Sequence, residues 1–204
     1  MVEQRLEIRG VSRRFGRLSV LAKVSATVGG GEVLPVRGRN GSGKSTLLRC
    51  LAGLLAPDAG EILAIEEGRE LEPAGRRRRI GYVAPDLAFY EELTVGENLE
   101  FFTRLRRVPL AIADELLARV DLPPDRRAGA LSSGMRQRLR WIFALLHRPR
   151  LLLLDEPFQN LDDPGEATAR ELLSEHLAAG GLAVIASPIP LDLPGNLDAL
   201  VLDR

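Results

Sequence analysis

The run Gly38-Arg39-Asn40-Gly41-Ser42-Gly43-Lys44-Ser45-Thr46 constrains this chain more than any other feature. Glycines at this spacing let backbone N–H groups turn inward onto phosphate oxygens, and a helix starting at the end of the loop adds partial positive charge. Such a loop works only between a strand and a helix, and both neighbours fit. Residues 32–37 read as a strand, although Pro35 is unusual at a central position. Residues 44–56 carry apolar side chains at helical spacing, and the turn Pro57-Asp58-Ala59-Gly60 stops them. The expected chemistry is specific: Lys44 reaches the β- and γ-phosphates of ATP, and the Ser45 hydroxyl ligates Mg²⁺. A glycine-rich turn without a ligand is the plain alternative, and the complete spacing in a strand–loop–helix setting outweighs it.

The rest of the chain alternates strands and helices. Leu6 and Ile8 alternate with charged residues, as in an edge strand, and residues 20–28 form a second β-rich stretch ending at Gly29-Gly30-Gly31. Residues 61–65 and 80–83 read as strands. Two helices follow at 95–107 and 111–120, closed by Pro123-Pro124, and a third runs from an N-cap at Ser132 to about His147. Residues 151–154 form an apolar strand, 165–179 a helix, 182–186 a second buried strand and 199–202 a last short one. The order implies an α/β fold with a parallel sheet, in one unit over 1–204, with residues 86–130 as a helical insertion into a core of 1–85 and 131–204.

A second block ends one of those strands: Leu151-Leu152-Leu153-Leu154-Asp155-Glu156-Pro157. It delivers two carboxylates to the C-terminal edge of a parallel sheet, where open α/β folds bind ligands. Asp155 is expected to hold Mg²⁺ through water, and Glu156 to activate the attacking water. An acidic N-cap after a strand is the plain alternative. A third block, Leu131-Ser132-Ser133-Gly134-Met135-Arg136-Gln137-Arg138, is by itself only a capped helix start.

Bulk properties narrow the class. Lys plus Arg and Asp plus Glu both number 28, so the formal net charge is zero, which argues against nucleic acid as the main partner. The four arginines Arg76 to Arg79 lack interleaved aromatics and read as a solvated turn. Cys50 is the single cysteine, so no internal disulfide can form. The polar Glu3, Gln4 and Arg5 do not open a signal peptide. The apolar runs 141–146 and 151–154 fall far short of the roughly 18 residues that span a bilayer. Any action at a membrane therefore needs another chain for the spanning.

Together the three blocks resemble the ATP-binding subunits of ABC transporters over nearly the whole chain. The resemblance implies a nucleotide-binding core with a mostly parallel sheet, an antiparallel β subdomain and an inserted helical subdomain. Residues 131–137 look like the family's LSGGQ-type signature, with Ser133 in place of a glycine and Met135 in place of a glutamine. Asn160-Leu161-Asp162 matches the family's D-loop, and Phe15 stands where an aromatic ring stacks on adenine, a buried core Phe being the alternative. Tyr90-Glu91-Glu92-Leu93-Thr94-Val95-Gly96-Glu97-Asn98-Leu99 matches the stretch that opens the helical subdomain. By this resemblance two subunits pair head to tail, as identical or different chains. ATP then lies between one phosphate loop and the other subunit's Ser132-Ser133-Gly134. Separate transmembrane permease subunits complete the assembly on the cytoplasmic face of the membrane.

Two positions depart from the family. Where a Gln senses Mg²⁺ and water, this chain has Ala84-Pro85-Asp86. Where a His contacts the γ-phosphate, it has Ser187-Pro188. His147 and His176 lie inside expected helices and read as structural or solvated. The departures imply slow hydrolysis with binding retained, unless Asp86, Ser187 or a partner supplies the contacts. The brevity of the chain, Asp155-Glu156-Pro157-Phe158 and Pro188-Ile189-Pro190-Leu191 narrow the likeness to the ATP-binding subunit of bacterial haem exporters used in cytochrome c maturation. A nucleotide-gated regulatory subunit and a soluble ABC ATPase outside transport are the competing classes.

Overall fold

The computed structural model describes residues 4–193 and 195–202; Met1 to Glu3, and with them the polar Glu3, lie outside the described residues. In chain order the elements are β1 (Gln4–Phe15), β2 (Leu18–Gly29), β3 (Val33–Arg37), α1 (Lys44–Leu51), β4 (Ala59–Glu66), β5 (Arg69–Glu70), α2 (Pro73–Arg78) and β6 (Ile80–Val83). They continue with α3 (Val95–Arg106), α4 (Leu110–Arg119), α5 (Ser133–Leu145), β7 (Leu151–Asp155), α6 (Asp163–Ala178), β8 (Leu182–Ala186) and β9 (Leu200–Val201).

The apolar strands pair as their composition requires. β6, β7, β8, β3 and β9 lie in that order in one sheet, each pair parallel. Every residue of β7 and β8 is buried, because the sheet is covered on both faces. The period of two divides β7 cleanly. Leu151 and Leu153 face a core shared with Leu47 and Leu51 of α1 and with Leu6, Ile8 and Val28. Leu152 and Leu154 face Trp141 of α5 and Leu173 of α6. A separate apolar cluster joins α3, α4 and α5 through Val95, Leu99, Leu117, Leu139 and Ile142.

The alternating strands form a second sheet, in the order β2-β1-β4-β5, and it is antiparallel throughout. Leu6 and Ile8 are therefore not in an edge strand: β1 is central, flanked by β2 and β4. Alternation reports one buried and one solvated face and carries no information about lateral neighbours.

Three further differences have local causes. The helix after the phosphate loop ends at Leu51, short of residue 56, because Gly53 takes φ +70° and its N–H turns back to the Cys50 carbonyl at 3.0 Å. Arg76, Arg77 and Arg78 form the last turn of α2, with Arg79 as its C-cap, so the segment is helical rather than a turn, while Arg77, Arg78 and Arg79 are exposed as expected. Arg76 reaches the Ile62 carbonyl at 2.7 Å, and Arg79 pairs with Glu66 at 2.7 Å. His147 lies in the turn beyond α5, where its Nε2 bonds the Ile80 carbonyl at 3.0 Å. His176 is within α6, with Nε2 3.2 Å from the Leu182 carbonyl.

Pro35 is tolerated between two strands for a register reason. Leu34 and Val36 point their backbone groups toward β8, whereas Val33 and Arg37 bond on the opposite side, to Gly195, Leu197 and Leu202. Pro35 shares that opposite side, where β9 pairs only with Val36 and Arg37, so its missing N–H leaves no ladder bond broken.

Candidate functional site

Parallel register brings the C-terminal ends of β3, β7 and β8 side by side. Asp155 pairs with Ala186, Glu156 N–H donates to the Ala186 carbonyl at 2.9 Å, and Ser187 N–H to the Val36 carbonyl at 3.1 Å. The phosphate loop leaves β3 at this edge and re-enters the fold as α1. Gly43, its last residue before Lys44, has φ +106°, and a Cβ there would lie 2.9 Å from the Val20 carbonyl oxygen. Only glycine fits, which lets α1 begin with its N–H groups turned into the loop.

The loop's side chains carry the marks of an anion cradle. The Lys44 ammonium folds over the loop, donating to the Gly38 carbonyl at 2.7 Å and the Arg39 carbonyl at 3.1 Å. Ser42 is buried, and its hydroxyl oxygen has no hydrogen-bond partner among the described residues. A buried hydroxyl left orphaned in a Gly-rich loop is what a phosphate oxygen would satisfy. Arg39, Asn40, Gly41 and Thr46 complete the run from Gly38 to the first turn of α1.

Ser45 and Asp155, distant in sequence, meet here. Burial holds the Asp155 carboxyl above its ordinary range, and a hydrogen bond from Ser45 and the positive charge of Lys44 and Arg49 oppose that shift. A desolvated carboxylate beside a hydroxyl is an oxygen donor set that suits Mg²⁺. Burial, with help from the negative charge of Asp155 and Asp86, pushes the neighbouring Tyr82 hydroxyl up to about 12.

Glu156 follows Asp155 in left-handed backbone, with φ +48°. For a residue with a Cβ this costs about 1–2 kcal/mol, and such strain persists only where the surroundings enforce it. The enforcement comes from α5. Gln137, 3% exposed, donates through Nε2 to the Glu156 carbonyl at 3.3 Å and the Pro157 carbonyl at 2.8 Å. The Trp141 indole adds a bond to the Pro157 carbonyl at 2.9 Å. The same helix reaches the loop after β6, where Arg140 donates to the Pro85 carbonyl at 2.6 Å and to Gln137 Oε1 at 3.0 Å. Sequence reasoning assigned no role to Gln137, Arg140, Trp141, Arg49 or Tyr82; only the helical spacing of 137, 140 and 141 hinted at a shared face.

The two departures take definite forms. Asp86 is exposed and paired with Arg49 at 2.8 Å. The Ser187 hydroxyl is engaged in its own turn around Pro188, donating to the Ile189 carbonyl at 2.8 Å and accepting from the Ile189 N–H at 3.2 Å.

The remaining expected residues lie elsewhere. Ser132 caps α5, its hydroxyl accepting from Met135 N–H at 3.2 Å, and Ser133 is exposed in the first turn. Gly134 is pressed against the 156–160 loop, where a Cβ would lie 2.7 Å from the Asn160 carbonyl oxygen. Among the described residues, none of the hydrogen bonds of Ser132 or Gly134 reaches the phosphate loop. Asp162 is the N-cap of α6, bonded to Gly165 N–H at 3.2 Å and to Arg138 at 2.6 Å, and that guanidinium holds its carboxyl below the ordinary range. Phe15 is 48% exposed at the end of β1, with the Arg13 guanidinium 5.0 Å from its ring centroid, so it is not a core residue.

The ABC transporter family profile matches residues 21–159. The Fe(3+) ions import ATP-binding protein FbpC 1 of Rhodococcus jostii (strain RHA1) is 41% identical over 187 residues, covering 88% of this chain and 54% of that protein. The chain thus spans about half the length of that curated relative. The cytochrome c biogenesis ATP-binding export protein CcmA of Brucella abortus (strain 2308) is 38% identical over 196 residues, covering 95% of this chain and 89% of that one. The dimeric structure of a bacterial ABC transporter cassette superposes with a TM-score of 0.78 at 25% identity, covering 90% of this chain and 88% of the other.

Proposed function

This chain belongs to the ABC transporter family, and on that premise we propose that it is an ATP-binding and ATP-hydrolysing subunit that powers transport by separate membrane subunits. One observation carries the reading: a strand–loop–helix cradle with an orphaned buried hydroxyl at Ser42 and a poised Lys44, set beside the Ser45–Asp155 contact. No helix among the described residues is long and apolar enough to cross a membrane. In this reading the subunit sits peripherally on the cytoplasmic face of the membrane.

Lys44 and the loop amides would bind the phosphates, and Ser45 with Asp155 would hold Mg²⁺. When bound, Mg²⁺ neutralises charge on the phosphate oxygens. Glu156, fixed by the Gln137–Trp141 clamp, would accept the proton of the attacking water. Phe15 offers a ring to adenine. Among the described residues, the hydrogen bonds of Ser132, Gly134 and Asp162 do not reach the phosphate loop, which suits service of Ser132, Ser133, Gly134 and Asp162 to the site of a second, head-to-tail subunit; a relative of this fold is dimeric. Residues 86–130 form the helical subdomain in the same reading, with α3 and α4 packed through an apolar cluster onto α5 and Leu172 of α6.

Hydrolysis should be slow. Ser187 spends its hydroxyl on its own turn, and Asp86 on Arg49, so neither replaces the two missing contacts without rearrangement. Losing one preorganised donor typically lowers the rate about 10²–10³-fold. Steady-state phosphate release by the purified protein tests this, and turnover near the enzyme median of about 10 s⁻¹ would refute it. Glu156→Gln should accumulate an ATP-bound dimer on size exclusion with Mg·ATP, and a strictly monomeric variant would count against head-to-tail pairing of identical chains.

A narrower reading, export for cytochrome c biogenesis, rests on the relative of that name, which matches over nearly its full length where the iron-import relative matches over about half. Co-purification with membrane subunits of that system tests it.

A further inference from the structure

The end of the parallel sheet opposite the phosphate loop carries a second concentration of charge. There, at the starts of β6, β7 and β8, a groove of roughly 640 Å³ lies between α2, α4, the 146–150 turn and α6. A second hollow toward the C-terminus of α3 adjoins it and shares Arg78 and His147. We propose that this groove binds a small phosphomonoester with an aliphatic body, at a site independent of the nucleotide site.

The charge is uncompensated. Arg79 is taken by Glu66 at 2.7 Å and Arg119 by Glu175 at 2.6 Å. Arg78, Arg106, Arg107 and Arg148 have no carboxylate within ion-pair distance among the described residues, and Glu115 is the only wall carboxylate not already engaged by an arginine there. In a chain with zero formal net charge, this is a local excess. His147 is held well below the usual histidine range, to about 4, chiefly by burial, so the guanidiniums alone supply the charge.

Two of the four arginines stand against local backbone preference. Arg107 has φ +57° at the C-cap of α3, and Arg148 has φ +49° in the turn beyond α5. Glycine or asparagine would occupy both positions at lower cost, so the side chains are kept against strain.

The walls select the ligand. Guanidinium forks match phosphate oxygens in pairs. Ile112, Leu116, Leu145 and Leu172 offer aliphatic surface, and no Phe, Tyr or Trp lines either hollow, so a nucleobase would find no stacking partner. The volume lies within the range of about 300–1,000 Å³ typical of small-molecule sites.

The test uses the whole protein, with ADP saturating the phosphate loop, and titrates n-octyl phosphate, inorganic phosphate and n-octyl glucoside by calorimetry, with hydrogen exchange to locate binding. Octyl phosphate should bind at least about tenfold more tightly than inorganic phosphate, and octyl glucoside should not bind, because charge and apolar contact are both required. Protection should appear at 105–108 and 146–150. Arg107→Gly/Arg148→Gly should weaken octyl phosphate by at least about tenfold while melting no lower than the parent, since glycine prefers both backbone conformations. Sedimentation with phosphatidic acid vesicles, lost in the same variant, would identify a lipid headgroup as the source of the phosphomonoester. Binding of monomeric octyl phosphate without vesicle association would identify a soluble one. Unchanged affinity in the variant, protection confined to 38–46, equal binding of octyl glucoside, or no binding of any probe would overturn the proposal.

Discussion

Gln137→Leu isolates the clamp on Glu156 from the chemistry of Glu156 itself. Leucine preserves the approximate volume and the apolar surroundings of α5 but removes every polar contact of the amide. The Nε2 bond to Pro157 at 2.8 Å is lost, yet that carbonyl keeps the Trp141 indole at 2.9 Å and is not orphaned. The bond to the Glu156 carbonyl at 3.3 Å is long, and that carbonyl keeps the Gln159 N–H at 3.2 Å, so it is not orphaned either. Arg140 also loses its 3.0 Å acceptor while keeping the Pro85 carbonyl. Net hydrogen bonds are worth about 1 kcal/mol each, and no carbonyl is left orphaned. Relaxation of the left-handed Glu156 would return up to about 1 kcal/mol. The sum is a destabilisation of about 1–2 kcal/mol, read as a lower urea midpoint at unchanged slope. Affinity for Mg·ATP should hold within about threefold, because Gln137 touches neither the loop nor Asp155, while turnover falls by tenfold or more as Glu156 loses its aim. A variant with parental stability and turnover would show that Ala186 and Trp141 position the turn alone, and the clamp argument would fail.

Other substitutions probe separate links. Lys44→Ala removes a charge-assisted contact and should weaken ATP binding by about 1.5–3 kcal/mol by calorimetry; undiminished affinity would misplace the phosphates. Glu156→Gly relieves the +48° strain and should raise stability by about 0.5–1 kcal/mol while abolishing phosphate release, a divergence that a purely structural Glu156 would not show. His147 has a folded-state pKa near 4, below the unfolded value of about 6.5, so the unfolded chain takes up the proton first and stability falls as pH drops through that window. Allowing for partial exposure, the parent should lose about 1–2 kcal/mol relative to His147→Gln between pH 7 and pH 4, and parallel urea curves at both pH values would contradict the assignment.

The phosphate loop, the Asp155–Glu156 pair and the cap at Ser132 were legible because their chemistry is local. A glycine at a left-handed position, a hydroxyl three residues before an unpaired N–H and an apolar run ending in carboxylates each declare their role within a few residues. The parallel sheet followed from β7 and β8, whose unbroken apolar composition admits no solvated face. Tertiary structure alone decided what depends on pairs far apart in the chain. Whether β1 is central or at an edge depends on β4 finding it, and alternation is the same in both cases. The contact of Ser45 with Asp155 and the grip of Gln137 and Trp141 on residues 156–157 arise from packing α1 and α5 on opposite faces of one sheet. The left-handed Glu156 belongs with them: its local preference is the reverse, and bonds from α5 and β8 hold the turn there.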